Sequence, residues 1–215
     1  MQQINDLTND PEKLKLLPHN MTVFHRLLDP EAYRDKTVPS ARSLYEESQA
    51  LMFGGADTAG NTLMVGTFHL LKDSETLEKL KMELLEAWPT LHGQEPKLQH
   101  LENMSYLNAV IKESLRLSSG VTAGLLRIVP ANGATISGTA VPPGVRTCSI
   151  PATPSVCANV FFQTIVSCSS TFVHYNADIF PDPEAFRPER WIESPDLDNW
   201  LVAFSRGPRA CLGTK

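Results

Sequence analysis

From Ser40 to about Leu71 the chain carries a sustained helical period, and this stretch constrains the fold more than any other. Leu44, Ser48, Leu51, Met52, Gly55, Ala59, Leu63, Gly66 and Leu70 recur at helical spacing, which predicts one long helix with Ser40 as its cap. Gly54, Gly55 and Gly60 lie inside it, and each weakens a helix by up to ~1 kcal/mol relative to Ala. Such glycines are tolerated where something large lies against the helix backbone. A bulky bound group and a second helix packed close meet that requirement equally well.

The rest of the chain reads as mainly α with small β elements. Residues 1–40 are polar and broken by Pro11, Pro18, Pro30 and Pro39, leaving room for short helices around Pro11–Leu17 and Thr22–Leu28. Ser74 to Trp88 predicts an amphipathic helix whose stripe of Leu77, Leu80, Leu84 and Trp88 is core, stopped by Pro89. Asn103 to Leu117 predicts another, with Met104, Leu107, Val110, Ile111 and Leu115 inward. From Val129 to Val145 the chain turns β-like, with Asn132-Gly133 and Ser137-Gly138 as turns. Thr171 to Trp191 is mostly irregular and proline-rich.

A net charge of −5 argues against nucleic acid as a partner. No apolar stretch approaches the roughly 20 residues that cross a bilayer, and Met1-Gln-Gln-Ile-Asn-Asp carries no signal-peptide pattern. Cys148, Cys157, Cys168 and Cys211 lack the paired spacing of a zinc site, and the first three read as ordinary free thiols. The six histidines show no metal-ligand spacing either, and His174 reads as a loop residue.

The C-terminal run Phe204-Ser205-Arg206-Gly207-Pro208-Arg209-Ala210-Cys211-Leu212-Gly213 fixes five positions in ten residues, F-x-x-G-x-R-x-C-x-G. Glu113-Ser114-Leu115-Arg116 supplies E-x-x-R, Phe186-Arg187-Pro188-Glu189-Arg190-Trp191 supplies a P-E-R-W segment, and Gly54-Gly55-Ala56-Asp57-Thr58-Ala59 sits inside the long helix. In their order along the chain the four motifs resemble the haem-thiolate monooxygenases, the cytochrome P-450 superfamily, in a fungal style. The match runs from just before the long helix to just past the cysteine, so the resemblance implies a truncated form of that fold: its N-terminal half and final helices are missing.

The resemblance implies the following roles. Cys211 is the thiolate ligand of haem b, and Gly55, Gly207 and Gly213 let backbone pass close to the macrocycle. Arg127 and Arg209 are placed to pair with haem propionates, and Phe204 to shield the sulfur. Asp57 and Thr58 form an acid–alcohol pair that relays protons during O–O cleavage. The family usually has Thr or Ser next, where this chain has Ala59. Glu113 and Arg116, three apart on one helix face, join Arg190 in a buried network supporting the haem side. The implied activity is insertion of one oxygen atom from O2 into a small organic substrate, with electrons from NADPH through a reductase. The alternative is an inactive fragment that binds haem weakly or not at all. The implied parent is an endoplasmic reticulum membrane protein, and this chain, without an anchor, is expected to be cytoplasmic.

One segment stands outside the resemblance. The family's continuation of Val141-Pro142-Pro143-Gly144 begins here only at Thr164. The intervening 145–163 has neither sustained alternation nor helical spacing, and it reads as a translated intron or as a surface-loop insertion.

Overall fold

The computed structural model describes residues 2–16, 22–89, 95–124, 127–136, 139–143, 146–147, 165–166, 169–207 and 210–214. The chain forms two compact units, one ending at Asp57 and the other beginning at Thr58.

The first unit opens with helix α1 (Gln2–Asn9), which sequence reasoning did not find because eight residues with two apolar positions hold too little period. A 3-10 turn at Pro11–Leu16 and helix α2 (Val23–Leu27) follow, near where the sequence predicts short helices. Ile4, Leu28 and Leu44 are the buried centre of this unit, packed by Leu7, Phe24 and Tyr45. Leu44 lies on the long helix α3 (Ala41–Lys72), which begins where Ser40 predicts. Ser40 Oγ accepts from Ser43 N at 3.3 Å, and the Ser40 carbonyl accepts from Leu44 N at 2.9 Å. Further along α3, Leu51, Met52 and Phe53 are exposed.

The second unit takes the rest of α3. Asp73 ends that helix, donating its N–H to the His69 carbonyl at 3.0 Å. It also caps α4 (Ser74–Ala87) by accepting from Glu75 N at 3.1 Å and Thr76 Oγ1 at 2.7 Å. After the short α5 (Leu98–Glu102) comes α6 (Ser105–Ser118). Glu83 of α4 sits at the N-terminus of α6 and accepts from Tyr106 N and Leu107 N, both at 2.8 Å. A carboxylate there satisfies two otherwise unpaired donors and meets the positive end of the helix dipole.

The apolar face expected of α6 needs correction. Val110 and Met104 are buried, but Ile111 is 46% exposed. The deepest side chains of this helix are Glu113 and Arg116, both fully buried. Helical periodicity counts apolar residues, so it misassigns a face whose centre is an ion pair.

Helices α3 and α6 approach closely at Gly66, where an added Cβ would lie 2.5 Å from Ser114 Oγ. Asn61 Nδ2 donates to the Ser118 carbonyl, and Thr62 Oγ1 lies 3.0 Å from Ser118 Oγ. Helix packing therefore accounts for the glycine at 66. Among the described residues it does not account for Gly54, Gly55 and Gly60, where an added Cβ would meet nothing within 4 Å.

Among the described residues five short strands follow: β1 (Arg127–Ile128), β2 (Ala134–Ile136), β3 (Thr139–Val141), β4 (Arg146–Thr147) and β5 (Ile165–Val166). β2 and β3 pair antiparallel with Ile136 opposite Thr139. β4 lies between β1, antiparallel, and β5, parallel. The turn expected at Asn132-Gly133 forms with Gly133 at φ +75°, donating to the Pro130 carbonyl at 2.9 Å. The turn expected at Ser137-Gly138 lies outside the described residues. So does the segment 145–163, except for Arg146–Thr147.

The stretch expected to be irregular opens with helix α7 (Ser170–His174), capped by Ser169 Oγ, and closes with α8 (Arg190–Glu193). Ala109 of α6, Phe180 and Trp191 of α8 form the core here. His174 is not a loop residue: it ends α7 with no exposed surface. Burial, reinforced by the nearby Arg116 charge, lowers its pKa to about 4.

Two outcomes follow from this packing. Gly66→Val should lower stability by ~1–3 kcal/mol through overpacking against Ser114, read by urea unfolding. The depressed pKa of His174 means that the unfolded chain binds a proton the folded chain excludes. The stability due to neutral His174 is full above the ordinary value of 6.5 and is lost as pH falls through about 4. Urea midpoints across that window should fall more steeply for the wild type than for His174→Gln.

Candidate active site

The centre of the site is the Glu113 carboxylate. It accepts from Arg116 Nε and Nη2, both at 2.9 Å, and from Arg190 Nε at 3.1 Å. Arg187 N at 3.0 Å and Trp191 Nε1 at 2.9 Å complete five donors. Arg116 spends its remaining donor capacity on carbonyls of His174 (2.8 Å), Pro183 (2.6 Å) and Ala185 (3.1 Å). Arg190 does the same with Pro181 (2.8 Å), Asp182 (3.2 Å) and Ala185 (3.3 Å). Arg116 also lies over the Phe180 ring, 5.2 Å from its centroid. Burial works against the charge on Arg190 and lowers its pKa, while the Glu113 carboxylate beside it pulls the other way. One carboxylate thus faces two guanidinium ions, and five main-chain carbonyls absorb the surplus positive charge.

The sequence motifs bring Glu113, Arg116 and Arg190 to one place. Sequence reasoning missed three further members: Trp191 as an indole donor, the Arg187 main chain and His174. Trp191 stood in the quoted Phe186–Trp191 segment, and its polar N–H was the available signal.

The segment from Leu201 to Gly213 carries Cys211. His174 Nε2 accepts from Val202 N at 3.0 Å, and Ser205 N donates to the Val202 carbonyl at 2.9 Å. Ser205 at φ +59° and Gly207 at φ +76° turn the chain through the left-handed region. Cys211 N donates to the Phe204 carbonyl at 2.8 Å, and Ala210 N to the Gly207 carbonyl at 3.0 Å. Gly213 N lies 3.4 Å from Cys211 Sγ, so a main-chain N–H points at the sulfur. The thiol is exposed and free. The Phe204 side chain is 41% exposed.

Asp57 and Thr58 are neighbours on α3, Asp57 exposed and Thr58 half-buried. Thr58 gives its carbonyl to Thr62 Oγ1 at 3.0 Å. An added Cβ at Gly120, just past α6, would lie 3.4 Å from Thr58 Cγ2. Arg209 and the side chain of Arg127 lie outside the described residues.

A thiolate-ligated haem fits the residues on hand. An exposed thiol on a left-handed turn, with a main-chain N–H aimed at the sulfur, suits a soft anionic ligand. Among the described residues no cluster of His, Cys, Asp or Glu could hold a metal by itself. No described helix is long and apolar enough to cross a membrane.

Comparison with known proteins converges. The chain is 36% identical to a cytochrome P450 monooxygenase of Ascocoryne sarcoides over 99% of its own length and 38% of that protein. It is 38% identical to one from Botryotinia fuckeliana, over 89% of this chain and 33% of that protein. A relative from Claviceps purpurea is 39% identical over 75% and 28%. The chain thus spans about a third of the length of these fungal relatives. A zebra fish cytochrome P450 solved with progesterone superposes with a TM-score of 0.57 at 26% identity, over 77% of this chain and 33% of that one. The cytochrome P450 family model matches residues 6–152 and 160–215, and the chain belongs to that family.

Proposed function

We propose that this chain supplies the ligand-loop side and the oxygen-activating helix of a haem-dependent monooxygenase acting on a small organic molecule. The observation that carries the reading is the Cys211 loop, an exposed thiol on a scaffold anchored to a fully buried ion network. Cys211 would hold a haem through its thiolate, whose donation of electron density to the iron would favour O–O cleavage.

The chain's own residues serve that chemistry in separate ways. Cys211 presents the sulfur, with the Gly213 N–H stabilising negative charge on it. Gly207 gives its turn a shape a side chain would strain. Phe204 holds Cys211 in register through its carbonyl. Glu113, Arg116 and Arg190 fix the ground on which this loop rests. Exposed Asp57 takes protons from water, and Thr58 beside it passes them along the helix surface. Arg127 and Arg209 offer positive charge to the propionates, and Gly55 and Gly213 leave room for the ring. The electrons come from NADPH through a partner reductase.

A second reading is favoured by one observation. On α3, Leu63, Met64, Phe68 and Leu71 are 59–74% exposed, an apolar face that a working pocket would cover. In this reading the isolated chain binds haem weakly or not at all.

A carbon monoxide difference spectrum of the reduced, haem-reconstituted chain separates the two. A strongly red-shifted Soret band in the wild type, lost in Cys211→Ser, is expected if the loop is competent. A soluble wild-type chain without that band assigns the isolated chain to the second reading. Glu113→Gln leaves two buried guanidinium ions without their counter-charge and should cost ~3–5 kcal/mol in urea unfolding. A loss below ~1 kcal/mol would show the network to be dispensable.

A further inference from the structure

His174 is fully buried, yet the reading above gives its imidazole no task. Two bonds define its place. Its carbonyl accepts from Arg116 Nη1 at 2.8 Å, and its ring Nε2 accepts from Val202 N at 3.0 Å. A main-chain N–H can only donate, so Nε2 must offer a lone pair and the ring proton must sit on Nδ1. That assignment leaves Nδ1 buried with no hydrogen-bond partner among the described residues. A histidine kept only to fill space would not need an acceptor at Nε2.

Val202 opens the segment that ends in Cys211. Its carbonyl takes Ser205 N at 2.9 Å, and the adjacent Phe204 carbonyl takes Cys211 N at 2.8 Å. A short chain of contacts therefore runs from Arg116 through His174 and Val202 to the main-chain N–H of Cys211. We propose that His174 is a positioning residue: its neutral imidazole transfers the fixed position of Arg116 to the loop that carries Cys211. The groups facing the ring agree with a neutral state. Arg116 opposes protonation, Glu113 favours it more weakly, and the Phe180 ring meets the imidazole edge-on with centroids 6.3 Å apart.

The functional weight of the proposal rests on Cys211 being the haem ligand, but the loop can be read without haem. His174→Gln keeps an acceptor where Nε2 stands, whereas His174→Phe keeps volume and loses it. Val202→Pro removes the donor and leaves His174 in place. Residue-resolved amide exchange would follow Cys211 N, with alkylation of Cys211 followed by peptide mapping as a second readout. The proposal expects roughly tenfold faster exchange of the Cys211 amide in His174→Phe and in Val202→Pro, as for loss of one hydrogen bond. His174→Gln should stay close to the wild type, and the haem-loaded variants should lose the thiolate Soret band in the same order. Wild-type exchange at Cys211 in folded Val202→Pro would overturn the proposal. So would equal impairment of His174→Gln and His174→Phe. If His174→Phe does not fold, Val202→Pro decides alone. Absence of the Soret band in the wild type counts against Cys211 as ligand and leaves the exchange result to judge the loop.

Discussion

A carboxylate buried without partners would be driven to its neutral form or expelled, so everything around Glu113 is arranged to prevent that. Five donors converge on its two oxygens from α6, from the chain entering α8 and from α8 itself. The two guanidinium ions that supply three of those bonds are in turn held by main-chain carbonyls between His174 and Ala185. That irregular stretch has little regular hydrogen bonding of its own. Its carbonyls are satisfied by Arg116 and Arg190, and its shape is therefore a property of the ion cluster. Removing a single charge would leave both the remaining ions and the strand of carbonyls uncompensated, which distinguishes this cluster from the exposed pairs elsewhere on the chain.

The long helix shows two uses of glycine. At Gly66 the residue lets Ser114 approach, and the polar bonds of Asn61 and Thr62 to Ser118 hold α3 against α6. At Gly54, Gly55 and Gly60 an added Cβ would meet nothing within 4 Å among the described residues. The same residue type thus marks a close helix contact at Gly66 and no such contact at the other three. Sequence alone left these alternatives open, because a glycine reports only that a side chain is unwelcome.

Much of the fold was legible. Ser40 as the start of α3, the stop before Pro89 and the turn at Asn132-Gly133 each follow from one residue's local chemistry. The spacing of Glu113 and Arg116 likewise placed them on one face. The failures have a common origin. Ile111 and His174 were misjudged because burial on α6 and at the end of α7 is decided by a guanidinium–carbonyl bond and an ion pair reaching across roughly sixty to eighty positions, which no local period records. Helix α1 was missed because eight residues hold too few turns to show a period. At the site, the cysteine motif announced the thiol and its glycines. The left-handed Ser205 and the imidazole behind Val202 gave no signal, since both depend on what the chain meets after it folds.

The ion cluster also imposes an order on folding. Glu113 and Arg116 can find each other within a single helical turn, but Arg190 lies 77 positions beyond Glu113. The intervening loop must close before the third charge arrives, and long-range closure of that kind slows folding. Until then the carboxylate and its first guanidinium have to stay wetted, because burying them half-partnered would be costly. The apolar surroundings of Phe180 and Trp191 therefore cannot dry out early; they consolidate only when the C-terminal third of the chain comes home. The cluster acts as a checkpoint on assembly, keeping the core open to water until Arg190 is in place.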